Sequence, residues 1–260
     1  MTVGRRRLAG RFLLAGLLAT VFTVTGAAPA GAINRYTLPS GRSYTAWKDV
    51  PTVTTAVVVL HSFNHDDSEP VAQGWLTAAA RHNFLAVFPS GDGSWNAGLC
   101  CGRARDTGRD DVAFLAAVQA DVVARWHPAR VFYVGWSNGA MMVERLVVER
   151  PELTRRFVLA AGAPEMPTAG TWPGRGWIYH GRRDTTVPWA GGHPAWCGCE
   201  IRPGQATPTW IRGASLWAYV DPARGHAVPA GWPELAWGRL VSLAGGRLGA
   251  ERGHVASTGT

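Results

Sequence analysis

The sequence predicts an α/β fold with a mostly parallel central sheet flanked by helices, and three observations favour it. Short apolar runs alternate along the chain with longer segments of helical periodicity. The runs are apolar almost throughout, which is typical of strands buried on both faces. The chain has 260 residues, 47% of them hydrophobic and 17% charged, so it suits one packed globular domain of ordinary to large size.

Six strands and four helices are predicted. The strands are residues 54–61, 84–89, 130–135, 156–161, 176–180 and 215–220. The helices are residues 71–81, 110–125, 139–149 and 233–243. Asp110 is the predicted cap of the second helix, because its carboxylate can accept from the free backbone N–H groups of the first turn.

Two segments interrupt this alternation and are interpreted as loops. Residues 162–175 and 190–213 are rich in Gly, Pro and Trp and have little periodicity. In an open α/β sheet, ligands bind beyond the carboxyl ends of the strands. Loops that follow the strands are therefore the expected walls of a binding site.

Charge argues against a nucleic-acid partner. The formal net charge is +8, but four arginines lie in the first eleven residues, where there is no acid. Without those four, 22 basic residues face 18 acidic ones, a net of +4, and the basic residues are scattered along the chain. A solvated surface explains this pattern better than a nucleic-acid-binding motif does.

Residues 1–32 have the three parts of a secretory signal. A basic start is followed by an apolar run over residues 12–24 and by a small-residue end that offers an Ala-x-Ala site at Ala32. The run is shorter than the ~20 residues of a membrane-spanning helix, so cleavage and export are predicted rather than anchoring. The expected mature protein is secreted and is a single catalytic domain over residues 33–260, with a tail from about residue 246.

Four cysteines occur as two close pairs, Cys100 with Cys101 and Cys197 with Cys199. In an exported chain an even number of cysteines indicates disulfides. Adjacent cysteines bridge each other only with strain, so the two connectivities that join one pair to the other are favoured. The spacing does not match a zinc site, and no metal is predicted.

Residues 135–139 read Gly-Trp-Ser-Asn-Gly, a Gly-x-Ser-x-Gly motif between a predicted strand and a predicted helix. This context is typical of a nucleophilic serine on a sharp turn, where the glycines remove side chains that would collide. The helix that follows directs its partly positive N-terminus towards a developing oxyanion. Ser137 is therefore the predicted nucleophile.

A serine nucleophile needs a base and an acid, which in this arrangement follow it along the chain as acid and then histidine. Asp184 directly follows a predicted strand and is favoured over Asp221, which is too near His226 to leave a separate strand for each. His226 lies between the last strand and the last helix. His193 comes too soon after the acid, and His254 lies in the C-terminal tail.

Several segments, in matching order, resemble the secreted esterases grouped with polyhydroxybutyrate depolymerases and feruloyl or acetyl xylan esterases, which are α/β-hydrolases. They are residues 57–61 (VVVLH), 88–90 (FPS), 96–102 (NAGLCCG), 110–115 (DDVAFL), 135–142 (GWSNGAMM), 180–188 (HGRRDTTVP) and 225–226 (GH). The resemblance implies a triad of Ser137, Asp184 and His226, an acyl-enzyme, polymeric or plant-derived ester substrates and no cofactor.

The resemblance also implies an oxyanion hole, with the backbone N–H of Asn138 as one donor and the loop after His61, at Phe63, as the other. The chain departs from the family by having Ser62 where a glycine-containing loop is usual. The stretch between the acid and the histidine is also shorter, so the wall that selects the acyl group is expected to be trimmed.

Thirteen tryptophans offer surfaces for sugars or aromatic acyl groups, and Trp189 and Trp232 are the predicted substrate contacts, with Trp196 and Trp210 nearby. Two other functions remain open: an acyltransferase of the same fold, and a secreted binding protein that has lost turnover. A pure binder has no physical need of a complete triad, so the sequence favours the enzyme.

Overall fold

Eight strands form the central sheet of a computed structural model that describes residues 31–48, 52–197 and 199–245. In chain order its strands are β1 Asn34–Thr37, β2 Ser43–Trp47, β3 Thr55–Leu60, β4 Leu85–Pro89, β5 Arg130–Trp136, β6 Arg156–Ala160, β8 Arg175–Gly181 and β10 Ser215–Asp221. Across the sheet the order is β1-β2-β4-β3-β5-β6-β8-β10. Pairing is parallel from β4 through to β10 and antiparallel at the edge formed by β1 and β2. A separate two-stranded sheet pairs β7 Gly170–Thr171 with β9 Ile211–Arg212.

Seven α-helices and one short 3-10 helix, Gly204–Ala206, are seen in the described residues. The α-helices are α1 Glu69–Ala72, α2 Trp75–His82, α3 Gly102–Asp106, α4 Asp111–Trp126, α5 Asn138–Glu149, α6 Thr207–Trp210 and α7 Trp232–Gly245. The side chains of α4 and α5 pack into the hydrophobic core on one face of the sheet, and those of α2 and α7 into the core on the other. Strand β3 contributes alternate residues to the two cores, as expected of a strand covered on both faces.

All six predicted strands lie in the central sheet, within one residue of their predicted ends. The predicted helix at 71–81 is instead two helices, which meet at Gly74 with a φ of 93°. Asp110 caps α4 as expected, since its Oδ1 accepts from Ala113 N–H at 2.9 Å. The β1–β2 hairpin was not predicted, because β1 is mostly exposed and carries no apolar run.

The predicted cross-links between the cysteine pairs are wrong. Cys100 is bonded to Cys101, and Cys197 to Cys199. The Cα atoms of Cys197 and Cys199 are 5.1 Å apart, inside the ordinary range for a disulfide, so this pair closes on itself and needs no distant partner. Each bridge is therefore local, and neither ties the loop near residue 100 to the segment near residue 198.

The N-terminal leader, apart from residues 31–32, and the tail from residue 246 with His254 lie outside the described residues. Among the helices of the described ranges, none has both the length and the apolar character needed to cross a bilayer.

Candidate active site

Ser137 lies at the turn between β5 and α5, beyond the carboxyl end of a central strand. Its φ of 54° and ψ of −121° are unusual for a residue with a side chain, and such strain concentrates at functional sites. A Cβ atom at Gly135 would meet the backbone of Gly139, and one at Gly139 would meet the backbone at Leu60. The two glycines are therefore required by close backbone approach, which is what the motif predicts.

The structure brings Ser137, His226 and Asp184 together in one chain of contacts. His226 Nε2 is 2.9 Å from Ser137 Oγ, and His226 Nδ1 is 2.7 Å from Asp184 Oδ2. Asp184 follows β8 and His226 lies in the loop after β10, so neighbouring parallel strands deliver the two residues to the same edge of the sheet. With Nδ1–H donating to the carboxylate, Nε2 is free to accept the seryl proton.

The carboxylate of Asp184 is held ionised. Burial alone would raise its pKa, but contact with His180 and hydrogen bonds from His226 and the Val187 N–H outweigh burial and keep the pKa well below the usual range. Oδ1 accepts from the N–H groups of Thr186 at 2.9 Å and Val187 at 2.8 Å. Both oxygens thus have donors, although the residue is only 4% exposed.

The alternative acid, Asp221, and the alternative base, His193, do not join this chain of contacts. Asp221 accepts from Tyr179 Oη at 3.0 Å and from Ala223 N–H at 2.9 Å, and it makes no contact with His226 among the described residues. His193 is exposed and does not line the cavity at Ser137. The geometry therefore agrees with the acid and base chosen from the chain order.

Ser137 opens into a cavity of about 490 Å³. Its walls are largely apolar and aromatic, formed by Phe63, Trp136, Met141, Val187 and Trp196 with Cys101. The Trp136 ring lies 4.6 Å from the His226 ring, centroid to centroid. The cavity is large enough for a small to medium-sized organic acyl group.

Two backbone N–H groups are candidates for the oxyanion hole. Asn138 opens α5, and Phe63 lies in the loop after β3; both residues line the cavity with Ser137. Neither N–H has a hydrogen-bond partner within the described parts of the chain. The Asn138 side chain instead bonds the backbone of Trp95, through Oδ1 at 2.7 Å and Nδ2 at 3.0 Å, which fixes the start of the helix.

His61, at the end of β3, supports the same loop. Its Nδ1 lies 2.8 Å from Ser62 O, and its Nε2 accepts from Gly91 N–H at 2.9 Å. Burial lowers the pKa of His61, which keeps the ring neutral, with a proton on Nδ1 only. This histidine therefore has a structural role behind the loop and is not a second base.

The predicted substrate contacts Trp189 and Trp232 are wrong. Trp232 is 2% exposed and packs in the core beneath α7. Trp189 packs against the other core with its ring 5.1 Å from that of His180, away from the cavity. Trp136 and Trp196 line the cavity instead. The position of Trp136 beside Ser137 in the motif was a signal that sequence reasoning did not use.

No group of three or more His, Cys, Asp or Glu side chains in the described ranges is arranged to hold a metal ion.

No family model matches the chain. A pimeloyl-[acyl-carrier protein] methyl ester esterase of Yersinia pseudotuberculosis is 29% identical over 73 residues, which is 28% of this chain and 27% of that relative. The chain thus matches little more than a quarter of the length of such relatives, too little to establish a family.

Solved structures match over most of the chain. A carboxylesterase from Mesorhizobium loti is 18% identical with a TM-score of 0.56, covering 80% of this chain and 99% of that one. An acetyl xylan esterase from Aspergillus awamori is 16% identical with a TM-score of 0.56, covering 79% and 100%. A carboxylesterase from Bacillus cereus is 12% identical with a TM-score of 0.59, covering 77% and 93%. Together with the parallel sheet and the strand–turn–helix at Ser137, these likenesses show that the chain has the α/β-hydrolase fold.

Proposed function

We propose that this protein is a serine hydrolase of carboxylic esters that acts through an acyl-enzyme on Ser137. The observation that carries the proposal is the unbroken contact from Ser137 Oγ through His226 to the ionised Asp184, open to an apolar cavity. The esterases among the similar proteins support ester chemistry as the reaction class.

In the first half-reaction, Ser137 Oγ attacks the ester carbonyl carbon while its proton passes to His226 Nε2. The carbonyl oxygen becomes an oxyanion and is stabilised by the N–H groups of Asn138 and Phe63. Asp184 holds the imidazole in its tautomer and stabilises the imidazolium. Collapse of the tetrahedral adduct breaks the bond to the alcohol oxygen, which takes the proton from His226.

In the second half-reaction, water attacks the acyl carbon and gives a proton to His226. The acid product leaves, and the proton returns to Ser137 Oγ. No step requires a cofactor, because the proton and the negative charge are both handled by side chains and backbone N–H groups of this chain.

The cavity walls favour an apolar or aromatic acyl group, because Phe63, Trp136 and Trp196 present ring surfaces to the bound substrate. The finer proposal is that the ester is polymer-linked or plant-derived, and it rests on the resemblance to polyhydroxybutyrate depolymerases and feruloyl or acetyl xylan esterases. Screening polyhydroxybutyrate, acetylated xylan and feruloylated sugars for released acid tests this choice.

The nucleophile is tested by labelling the protein with a fluorophosphonate and mapping the modified residue, which we expect to be Ser137. Ser137→Ala should lose both labelling and hydrolysis of a short p-nitrophenyl ester. Ser242→Ala is the matched control. The Ser242 hydroxyl donates a hydrogen bond to Gly238 O within α7, far along the chain from the proposed triad. Labelling of another serine, or full hydrolysis by Ser137→Ala, refutes the proposal.

Coupling within the triad gives a second test. Ser137→Ala, His226→Ala and the double variant should lose similar factors, because all three remove the same proton-transfer unit. A double variant far worse than Ser137→Ala would mean that His226 acts in another step.

Export is part of the proposal and rests on residues 1–32 alone. N-terminal sequencing of protein from the culture medium should begin near Ile33. An intact Met1 end retained in the cytoplasm contradicts it.

A further inference from the structure

Glu69, the first residue of α1, places its carboxylate behind the loop that carries Phe63. Glu69 Oε2 accepts from Ser62 N–H at 2.7 Å, and Oε1 accepts from the Ser62 hydroxyl at 2.8 Å. Ser62 is 5% exposed and the Glu69 side chain 12%, so both hydrogen bonds are largely shielded from water. Charge-assisted hydrogen bonds of this length are among the stronger ones in proteins.

The same carboxylate reaches the nucleophile strand. Glu69 Oε1 accepts from Trp136 Nε1 at 3.1 Å, and Trp136 directly precedes Ser137. The Trp136 ring in turn lies against His226. One side chain therefore connects the loop after β3, the turn at Ser137 and the face of the base.

These contacts also decide which backbone donor faces the substrate. The Ser62 N–H is committed to Glu69, whereas the next N–H along the chain, that of Phe63, has no partner among the described residues. The residue before Phe63 is a serine, and its hydroxyl also donates to Glu69. Two hydrogen bonds to one carboxylate therefore hold the loop at the residue that precedes Phe63.

We propose that Glu69 is the positioning residue that sets the Phe63 N–H for the oxyanion and locks Trp136 beside Ser137 and His226. The inference rests on the proposed ester hydrolysis, and it adds a residue that the triad and the Gly-x-Ser-x-Gly motif do not include. Glu69 does not touch the reacting atoms, so it acts through the geometry of the two elements that it joins.

Glutamine at this position has nearly the same size but cannot reproduce the contacts. A carboxylate accepts from three donors here, whereas an amide keeps one acceptor oxygen and points an NH₂ group at a donor. The loop must then shift, and the Phe63 N–H loses its alignment. Loss of one oxyanion donor costs about 10²–10³ in kcat where it has been measured, so misalignment should cost about 10–100-fold.

The test compares wild type, Glu69→Gln and the matched surface variant Glu234→Gln, whose carboxylate pairs only with Arg81 and His82. With a p-nitrophenyl ester, Glu69→Gln should lower kcat about 10–100-fold while KM changes less than about 3-fold. Glu234→Gln should have the kcat and KM of the wild type.

A second readout separates positioning from general loosening of the fold. Phenylboronic acid takes Ser137 Oγ as the fourth ligand of boron, the seryl proton passes to His226, and the resulting anionic adduct places an oxygen in the oxyanion hole. Its inhibition constant should rise with Glu69→Gln by about the same factor as kcat falls. A kcat within 2-fold of wild type, or an unchanged boronate constant, overturns the role of Glu69.

If Glu69→Gln does not fold, Ser62→Ala replaces it, since that change removes a single hydroxyl from the same contact. It should lower kcat several-fold and weaken the boronate in step, and a wild-type result for both overturns the proposal. Failure of ester hydrolysis itself is distinguishable, because then wild type neither turns over the ester nor labels at Ser137.

Discussion

The loop around Asp184 and the contact between α5 and the segment that includes α6 both bury a carboxylate, with opposite consequences. Asp184 is 4% exposed and has donors on both oxygens. Glu144 on α5 is 1% exposed and receives the Thr207 hydroxyl on Oε1 at 2.9 Å, while Oε2 has no partner. Burial, opposed only by the Thr207 hydrogen bond and reinforced by Glu165, raises the pKa of Glu144 to about 8.

The difference shows that the number of hydrogen-bond donors, more than burial itself, determines whether the pKa of a buried carboxyl is lowered or raised. Glu165 repeats the second case: its Oε1 accepts from Arg202 N–H at 2.8 Å, its Oε2 has no partner, and burial raises its pKa. The region around Asp184 therefore holds a charged carboxylate beside His226. The region around Glu144 instead raises the pKa of two carboxyl groups beneath the irregular segment.

The pH dependence of stability should have opposite signs in the two regions. The lowered pKa of Asp184 contributes stability that is present above its ordinary value of 3.8 and is lost as pH falls through the folded value. The raised pKa of Glu144 means that the fold is favoured below the ordinary value of 4.5 and loses stability as pH rises towards about 8.

The largest effect is expected from Asp184→Asn, which removes the charge but keeps the shape. Hydrolysis of a p-nitrophenyl ester should fall on the order of 10⁴-fold in kcat, because the imidazole loses its tautomer and its counter-charge. Asp221→Asn is the matched control, since that partly buried carboxylate ends the neighbouring strand and bonds Tyr179 without touching His226. The assignment of the acid fails if Asp221→Asn is inactive and Asp184→Asn is near wild type.

Glu144→Gln should flatten the decline of stability between about pH 5 and 8.5. In the wild type, Glu144 keeps its proton in the folded protein over this range but loses it on unfolding. This difference lowers the free energy of unfolding by on the order of a few kcal/mol as pH rises, whereas an amide does not titrate. Urea unfolding at several pH values measures the free energy of unfolding. Glu149→Gln, which changes a partly exposed pair with Arg145, should keep the wild-type slope; equal slopes in all three proteins would contradict the raised pKa.

Thr207→Val tests how much the hydrogen bond from Thr207 to Glu144 contributes to stability. The change leaves Glu144 without any donor among the described residues, so stability should fall by about 2 kcal/mol and the decline with pH should steepen. Thr207→Ser keeps the hydroxyl and should lie much nearer to wild type. Equal losses in the two variants would mean that the methyl packing of Thr207, rather than its hydrogen bond, is what counts.

The smallest effect concerns Cys197 and Cys199, in the segment that links the two regions. Because their disulfide closes a very short loop, replacing both with Ser should cost about 1.5 kcal/mol, against about 4 to 5 for a bridge spanning a loop of roughly 100 residues. Nonreducing peptide mapping should recover the peptides around residues 100 and 198 separately. Recovery of these two peptides joined by a disulfide would contradict the local pairing and support cross-links between the two cysteine pairs.

Several features of the site followed from local sequence. The strands were recognisable because burial on both faces demands continuous apolar runs, and Ser137 because a strained turn demands its two glycines. Asp184 and His226 followed from chain order, since parallel strands deliver their carboxyl ends to one edge. The β1–β2 hairpin was not predicted, because an exposed edge strand carries no continuous apolar run.

The sequence by itself determined the alternation of strands and helices and the position of the strained turn at Ser137, because those depend on sterics and burial within a few residues. Only the tertiary structure decided which aromatic rings face the cavity: Trp136 and Trp196 line it, while Trp189 and Trp232 pack in the cores. It also decided that each cysteine bonds its near neighbour. The contacts by which Glu69 joins Ser62 to Trp136 are likewise tertiary. The physical reason is that a side chain's partner depends on which distant segments meet across the sheet, and an aromatic ring, a thiol or a carboxylate suits several partners equally well until those segments are in place.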